Sequence, residues 1–330
     1  MRSGIVCAGT AVLDVNNIIE AWPDEEQIAF IQQTIEAPGG PPHNAATGLI
    51  KLEAPFPISM IGVVGDDTYG TIFLDKAKAY GLDTSHIRRV PGVTDYTHVM
   101  TSAKTGKRTF FYHPGVNNTL EASHLLPQND EAKIYYLGSP GLSSSMDKSD
   151  GWRKVLTQVR RRGFKTCMEL CPIPPDQQAT YVRPCLPLLD YFVINDSEAE
   201  IVSGLPVLKD GQFDFGLATT AAHKLLDMGV EDLVAIHHPD GAVAARRNGE
   251  QVVAYSVQVP ASEIISSVGA GDAFYAGMLL GLHENWNLRE CLTLANASAA
   301  TSLHSPTTSA SIKPWAACLA YAKAKGLREP

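Results

Sequence analysis

No stretch of this sequence is long and apolar enough to cross a bilayer as a helix. The longest apolar run, AFYAGMLLGL from Ala273 to Leu282, falls well short of the roughly 18 residues a span needs, and reads as a core helix. Positive charge is also scarce: 27 Lys and Arg stand against 35 Asp and Glu, a formal charge of -8. Such a chain has no field to gather nucleic acid or anionic lipid, so neither partner is expected, although local N–H groups can still bind phosphate in a pocket. The N-terminal MRSGIVCAGTAVLDV has one Arg and carries Asp14, which suits a first strand better than a signal peptide; a cytoplasmic location is expected. The six cysteines are scattered, so free thiols are expected rather than a disulfide framework. Cys167 and Cys171 have a metal-like spacing, but on one strand they would lie about 13 Å apart, too far to bridge. No internal repeat, low-complexity tract or Pro/Gly-rich linker divides the chain, so residues 1–330 read as a single domain.

What is present is an alternation of strands and helices. ISMIGVV precedes TYGTIFLDKAKAY, KIYYLG precedes SDGWRKVLTQVRRRG, and YFVIN precedes a helix opening at Asp196. LATTAAHKLLDMG leads into DLVAIHH, and helices follow near Asp272, Leu288 and Lys313. This order predicts an α/β fold with a doubly wound, mostly parallel sheet flanked by helices. Two segments, approximately 15–38 and 94–113, break the rhythm, and THVMTSA with RTFFYHP predicts a hairpin about Thr105-Gly106. Both segments read as one small added sheet, a lid over the crevice where such sheets bind ligands.

The strongest local signal is Ser266-Ser267-Val268-Gly269-Ala270-Gly271-Asp272, directly before the apolar helix. Bare N–H groups at a helix start, with the positive end of its dipole, suit a phosphate, and Asp272 would sit beside it. The bland alternative is a tight turn with Asp272 favouring the helix dipole. A dinucleotide fingerprint would need glycine at Phe274, and no Gly-x-x-x-x-Gly-Lys-Ser/Thr occurs. A second glycine pair, Gly39-Gly40, precedes Pro41, Pro42, His43 and Asn44; alone it is a turn before a helix.

Taken together, these motifs resemble the two signatures of the ribokinase-like (PfkB-type) carbohydrate kinases: Gly39-Gly40 with Asn44, and Gly269-Ala270-Gly271-Asp272. The resemblance continues through Gly9-Thr10 with Asp14, IGVVGDDTYG at 61–70, Gly115-Val116-Asn117, Asn195-Asp196-Ser197-Glu198 and Asn296, nearly the whole chain. It implies a ribokinase-like fold with a small β-sheet lid, often a homodimer interface, and an ATP- and Mg²⁺-dependent kinase acting on a hydroxyl of a sugar or sugar-like molecule. By the same resemblance, Asp14, Gly39, Gly40 and Asn44 hold the substrate, Gly269, Ala270 and Gly271 cradle the transferred phosphoryl group, and Asp272 is the base. Asn195, Glu198, His238, Gly241 and Asn296 fall on the nucleotide side, with Glu198 reaching Mg²⁺ through water. Asn195 and Glu198 also form a capping-box pattern.

The chain departs from that family in places. Ile236 and His238 stand where the family contacts the nucleotide, Ser266 and Ser267 replace an Asp-Thr linked to a monovalent cation (K⁺), and Pro42-His43 is unusual beside the sugar site. These changes keep two alternatives open, a nucleoside kinase and a catalytically weakened sugar-binding or regulatory homologue. Phe110, Phe111 and Tyr112 offer rings for a base. Asp95, in Gly92-Val93-Thr94-Asp95, is expected to repel a phosphorylated sugar, or else to face solvent in a turn, while Arg108 on the second hairpin strand reaches toward the substrate.

Overall fold

Strand β1 (Ile5–Gly9) is apolar on both sides, with Ile5 and Cys7 in one core and Val6 and Ala8 in another. A strand needs that pattern when helices cover both faces of its sheet. The computed structural model describes residues 2–305 and 310–328. After β1 the chain leaves the main sheet for β2 (Val12–Ile19) and β3 (Ile31–Gly39), then returns through α1 (Pro41–Lys51) to β4 (Ile58–Gly65). Helix α2 (Thr68–Ala79) and β5 (Ile87–Val90) follow, then the hairpin β6 (Tyr96–Ser102) and β7 (Arg108–His113). Next come β8 (Ile134–Gly138), α3 (Ser144–Lys148), α4 (Gly151–Arg161), β9 (Lys165–Met168), α5 (Pro175–Val182), β10 (Tyr191–Asn195) and α6 (Asp196–Ser203). A short hairpin, β11 (Leu208–Lys209) and β12 (Gln212–Phe213), leads to α7 (Phe215–Asp227), β13 (Leu233–His238), β14 (Gly241–Arg246) and β15 (Gln251–Tyr255). Helices α8 (Ala270–His283), α9 (Leu288–Ser302) and α10 (Trp315–Lys325) close the fold.

The main sheet runs β15-β14-β13-β10-β9-β8-β1-β4-β5. It is parallel from β13 to β5 and antiparallel at β14 and β15. The strand order reverses at β1, which pairs with β4 on one side and β8 on the other, and a crevice opens at such a switch point. Helices α1, α8 and α9 cover one face and α4 and α7 the other. Among the described residues no helix is long and apolar enough to cross a membrane, and all six cysteines are free and buried.

A second sheet, ordered β3-β2-β6-β7, stands over the crevice. It is mixed, because β2 pairs parallel with β6 and antiparallel with β3. It also begins earlier than residue 15. Thr10 N–H donates to the Gly138 carbonyl at 2.9 Å and Leu13 N–H to the Asp95 carbonyl at 2.9 Å, so the turn ends at Ala11 and Asp14 lies on the small sheet itself. Asp14, Thr97 and Tyr112 are cross-strand neighbours and share the face that looks into the crevice.

Candidate active site

Two helices aim their N-termini at this crevice, and each starts at a glycine with positive φ. Gly40 (φ 86°) precedes α1 and Gly269 (φ 76°) precedes α8, and neither helix has a side-chain cap; the first N–H groups of α8 are left for a ligand, whereas α1 opens with Pro41 and Pro42, which carry none. The glycines before α1 are needed for a second reason. A Cβ on Gly40 would lie 2.5 Å from the Thr10 carbonyl oxygen, and one on Gly39 would overlap the Asp14 carboxylate. Asp272 stands in the first turn of α8, and Asn44 lies one turn into α1, where its side chain supports the ionised Asp272.

The centre of the crevice is acidic. Burial pushes Asp14 up to about 7, opposed by the Thr97 hydroxyl; neighbouring Asp272 raises it further and Arg108 lowers it. Burial likewise raises Asp272 to about 6, against the lowering effects of Asn44 and Arg108. The Arg108 guanidinium faces both carboxylates and lies over the Phe110 ring at 5.4 Å. A carboxylate near 6 beside a cation is ionised at neutral pH yet basic enough to accept a proton from a hydroxyl in the transition state.

Next to the start of α8 is a cavity of about 450 Å³ lined by Asn195, His237, His238, Gly271, Phe274 and Asn296, among others. Asn195 and Glu198 form both halves of a capping box at 2.9 and 3.0 Å, so the capping pattern seen in the sequence is present. Burial raises Glu198 to about 7, with Asn195 lowering it and Asp196 and Asp272 raising it. His238 lies flat on Phe213, ring centroids 4.8 Å apart, and accepts from Asp240 N–H at 3.2 Å. Asn296 donates its amide to the carbonyls of Tyr255 (3.2 Å) and Ala254 (3.4 Å), which pins it to β15. Gly241 and Ile236 are outside the lining: a Cβ on Gly241 would sit 2.5 Å from the Ala254 carbonyl oxygen, and Ile236 is fully buried in the core. Among the described residues no three His, Cys, Asp or Glu side chains are arranged to hold a metal ion. Ser266 instead makes a local turn, accepting from Val268 N–H at 3.0 Å.

Two sequence expectations require correction. Asp95 does not face solvent, and its carboxylate is taken up by donors of the protein itself. It is fully buried and accepts from the Tyr112 hydroxyl at 2.5 Å and from the N–H groups of Gly115 and Asn117 at 2.9 Å each. It knots the second hairpin to the loop after it. The three aromatic rings of β7 also do not act together. Tyr112 is committed to Asp95, and Phe111 points away from the crevice to stack on Trp22 at 6.0 Å, leaving Phe110 on the crevice side.

One acidic residue escaped the sequence reading. Glu169 follows β9, its Oε2 is enclosed without a hydrogen-bond partner, and burial with Asp272 and Glu198 nearby pushes its carboxyl well above the usual range. The buried hydroxyls of Thr10 and Ser139, after β1 and β8, are also without partners among the described residues. The only signal for them was polar residues just past the carboxyl ends of parallel strands, and the strand order that brings them together is not written in any one segment.

The model of the pfkB family of carbohydrate kinases matches residues 2–316 of this chain. It is 24% identical over 318 residues to 5-dehydro-2-deoxygluconokinase of Geobacillus thermodenitrificans, covering 92% of this chain and 88% of that protein. It is 25% identical over 269 residues to ribokinase of Haemophilus influenzae, covering 80% of each. Among solved structures, Arabidopsis thaliana ribokinase complexed with ribose and ATP superposes with a TM-score of 0.78 at 21% identity, over 98% of this chain and 99% of that one. Burkholderia thailandensis nucleoside kinase in complex with inosine superposes with a TM-score of 0.74 at 18% identity, over 99% of this chain and 100% of that one.

Proposed function

Since this chain belongs to the pfkB family of carbohydrate kinases, we propose that it transfers the γ-phosphoryl group of ATP to a hydroxyl of a small, unphosphorylated sugar or sugar-like molecule. The observation that carries this reading is the convergence of Asp272 and the uncapped start of α8 on one crevice shared with Asp14, Asn44 and Arg108. The acceptor hydroxyl gives its proton to Asp272, while Asp14 and Asn44 hold neighbouring hydroxyls. The N–H groups that follow Gly269 face the charge that builds during transfer, and Arg108 keeps Asp272 ionised. ATP with Mg²⁺ supplies the transferable group and neutralises its charge. Glu198 suits a water-mediated contact to the ion, its Oε2 being held by the Asn195 N–H, with phosphate oxygens and water completing the coordination. For K⁺ the residues offer little, since Ser266 is turned into its own loop.

The preference for an unphosphorylated acceptor now rests on a different footing from Asp95. Asp14 and Asp272 both face Arg108, and Glu169 and Glu198 add two more carboxyl groups beside Asp272, a poor setting for a second phosphate dianion. The names of the relatives agree, being kinases of ribose, deoxyribose and 5-dehydro-2-deoxygluconate. A second reading, a nucleoside acceptor, draws on the roughly 770 Å³ cleft between the small sheet and residues 264–268, where Phe110, Ile264 and Ile265 are exposed. We place the protein in the cytoplasm, with the small sheet acting as lid and as homodimer interface.

The test is MgATP consumption with D-ribose, 2-deoxy-D-ribose, 5-dehydro-2-deoxy-D-gluconate and inosine, beside thermal shifts with a nonhydrolysable ATP analogue. Turnover of one of the sugars is expected, and selective turnover of inosine establishes the second reading. Stabilisation by a sugar without any turnover overturns both in favour of a binding homologue.

A further inference from the structure

His43 belongs to neither signature, and in the sequence it was only an oddity beside Asn44. In the structure it is almost wholly buried, clamped between α1 and α2 with its ring edge-on to Phe73 at 5.5 Å and tilted against Tyr80 at 6.1 Å. Both ring nitrogens have partners on α1: Nε2 lies 3.2 Å from the Thr47 hydroxyl, and Nδ1 lies 3.4 Å from Asn44 Oδ1. Thr47, also fully buried, has no other side-chain partner among the described residues.

We propose that His43 and Thr47 are positioning residues that hold the Asn44 carboxamide with its amino group toward Asp272 and the acceptor hydroxyl. The donors and acceptors leave one consistent assignment. Asp272, as a carboxylate, only accepts, so Asn44 must present N–H to it and turn Oδ1 to His43. Oδ1 also only accepts, so Nδ1 of His43 carries the ring proton. Nε2 is then the acceptor, and the Thr47 hydroxyl donates to it. A free asparagine flips its amide at little cost; this one is locked through a ring that cannot turn between Phe73 and Tyr80. Burial pushes His43 down to about 4, so the ring stays neutral in the working pH range and the relay is not broken by protonation. The inference rests on Asp272 being the base.

The test uses the full-length protein and no substrate. Long-range ¹H–¹⁵N correlation spectra report the tautomer of His43, and ¹³C-carboxyl spectra, assigned with Asp272→Asn, follow the titration of Asp272. Wild type should show a neutral Nδ1–H tautomer from pH 5.5 to 8 and an Asp272 midpoint near the value of about 6. His43→Asn keeps a donor where Nδ1 sits and should preserve that midpoint. His43→Gln places its amide where Nε2 sits, frees Asn44, and should raise the proton affinity of Asp272 about threefold, because a donor to the charged form has been lost. The other groups facing Asp272, namely Asp14, Arg108, Glu169 and Glu198, are the same in both variants. If His43→Gln does not fold, Thr47→Val gives the same upward direction. An Nε2–H tautomer or an imidazolium at pH 7, or equal midpoints in the Asn and Gln variants, overturns the proposal. Neither readout needs turnover, so a chain that phosphorylates no acceptor tried would defeat the kinase reading and leave this test standing.

Discussion

At the scale of single residues, the proposed reaction depends on how far each carboxyl has been moved from its value in water. Asp272→Asn preserves shape and removes the proposed base, so kcat should fall by roughly 10² to 10⁴ while acceptor binding, read by thermal shift, survives; near-normal turnover would remove Asp272 from the mechanism. With Asp272 at about 6, the wild-type rate should decline as pH drops below that value, and a flat profile down to pH 5 would contradict the assignment. Asp14 makes a separate prediction about stability. Its carboxyl titrates at about 7 when folded against an ordinary 3.8, so the native state holds a proton that the unfolded chain releases. The resulting penalty is absent below 3.8 and complete above about 7. Asp14→Asn should therefore stabilise the ligand-free protein by on the order of 1–2 kcal/mol at pH 8, with the gain shrinking toward pH 5. Denaturant melts at both pH values decide it, and a gain that grows on acidification would reverse the sign argued here. The placement of Asp272 and its glycines at a helix start was legible in the sequence because they are contiguous. Glu169 was not, and Asp95 was misread, because burial is decided by residues far away in the chain.

At the scale of elements, the alternation of strands and helices carried most of the fold, since parallel strands covered on both faces must be apolar throughout and the helices between them amphipathic. The boundary of the small sheet was less legible. Val12 to Asp14 look like a continuation of β1, and only the backbone bonds to Gly138 and Asp95 show that the chain has already turned. Asp95 makes that junction, and its role predicts a cost. Asp95→Ala leaves the Tyr112 hydroxyl with only the Leu142 carbonyl at 3.1 Å and takes the acceptor from the N–H groups of Gly115 and buried Asn117, which should destabilise the protein by about 2–4 kcal/mol and raise KM for the acceptor more than it lowers kcat. A urea midpoint within experimental error of wild type would show that the knot is dispensable. No change in preference between a sugar and its phosphate is expected from this variant.

At the scale of the whole molecule, the small sheet is the part whose surface is unlike the rest. Trp22, Ile28, Phe30, Ile31 and Phe111 are each more than half exposed on or beside it, an apolar grouping of the kind that marks an interface. Sedimentation at micromolar concentration should find a dimer, and Ile28→Lys with Phe30→Lys should yield monomers; a monomeric wild type would remove the interface while leaving the kinase reading in place. The two signature helices have a further consequence. A Cβ on Gly48 of α1 would lie 2.8 Å from the Cβ of Ala276 on α8, so the helix carrying Asn44 and the helix carrying Asp272 lie side by side although they come from opposite ends of the chain. During translation, Asp14, Asn44 and Arg108, proposed to grip the acceptor, emerge from the ribosome well before Asp272, proposed to deprotonate it. A nascent chain stalled anywhere short of α8 should therefore be catalytically silent, with the apolar flank of α1 uncovered and open to chaperones until α8 has been made.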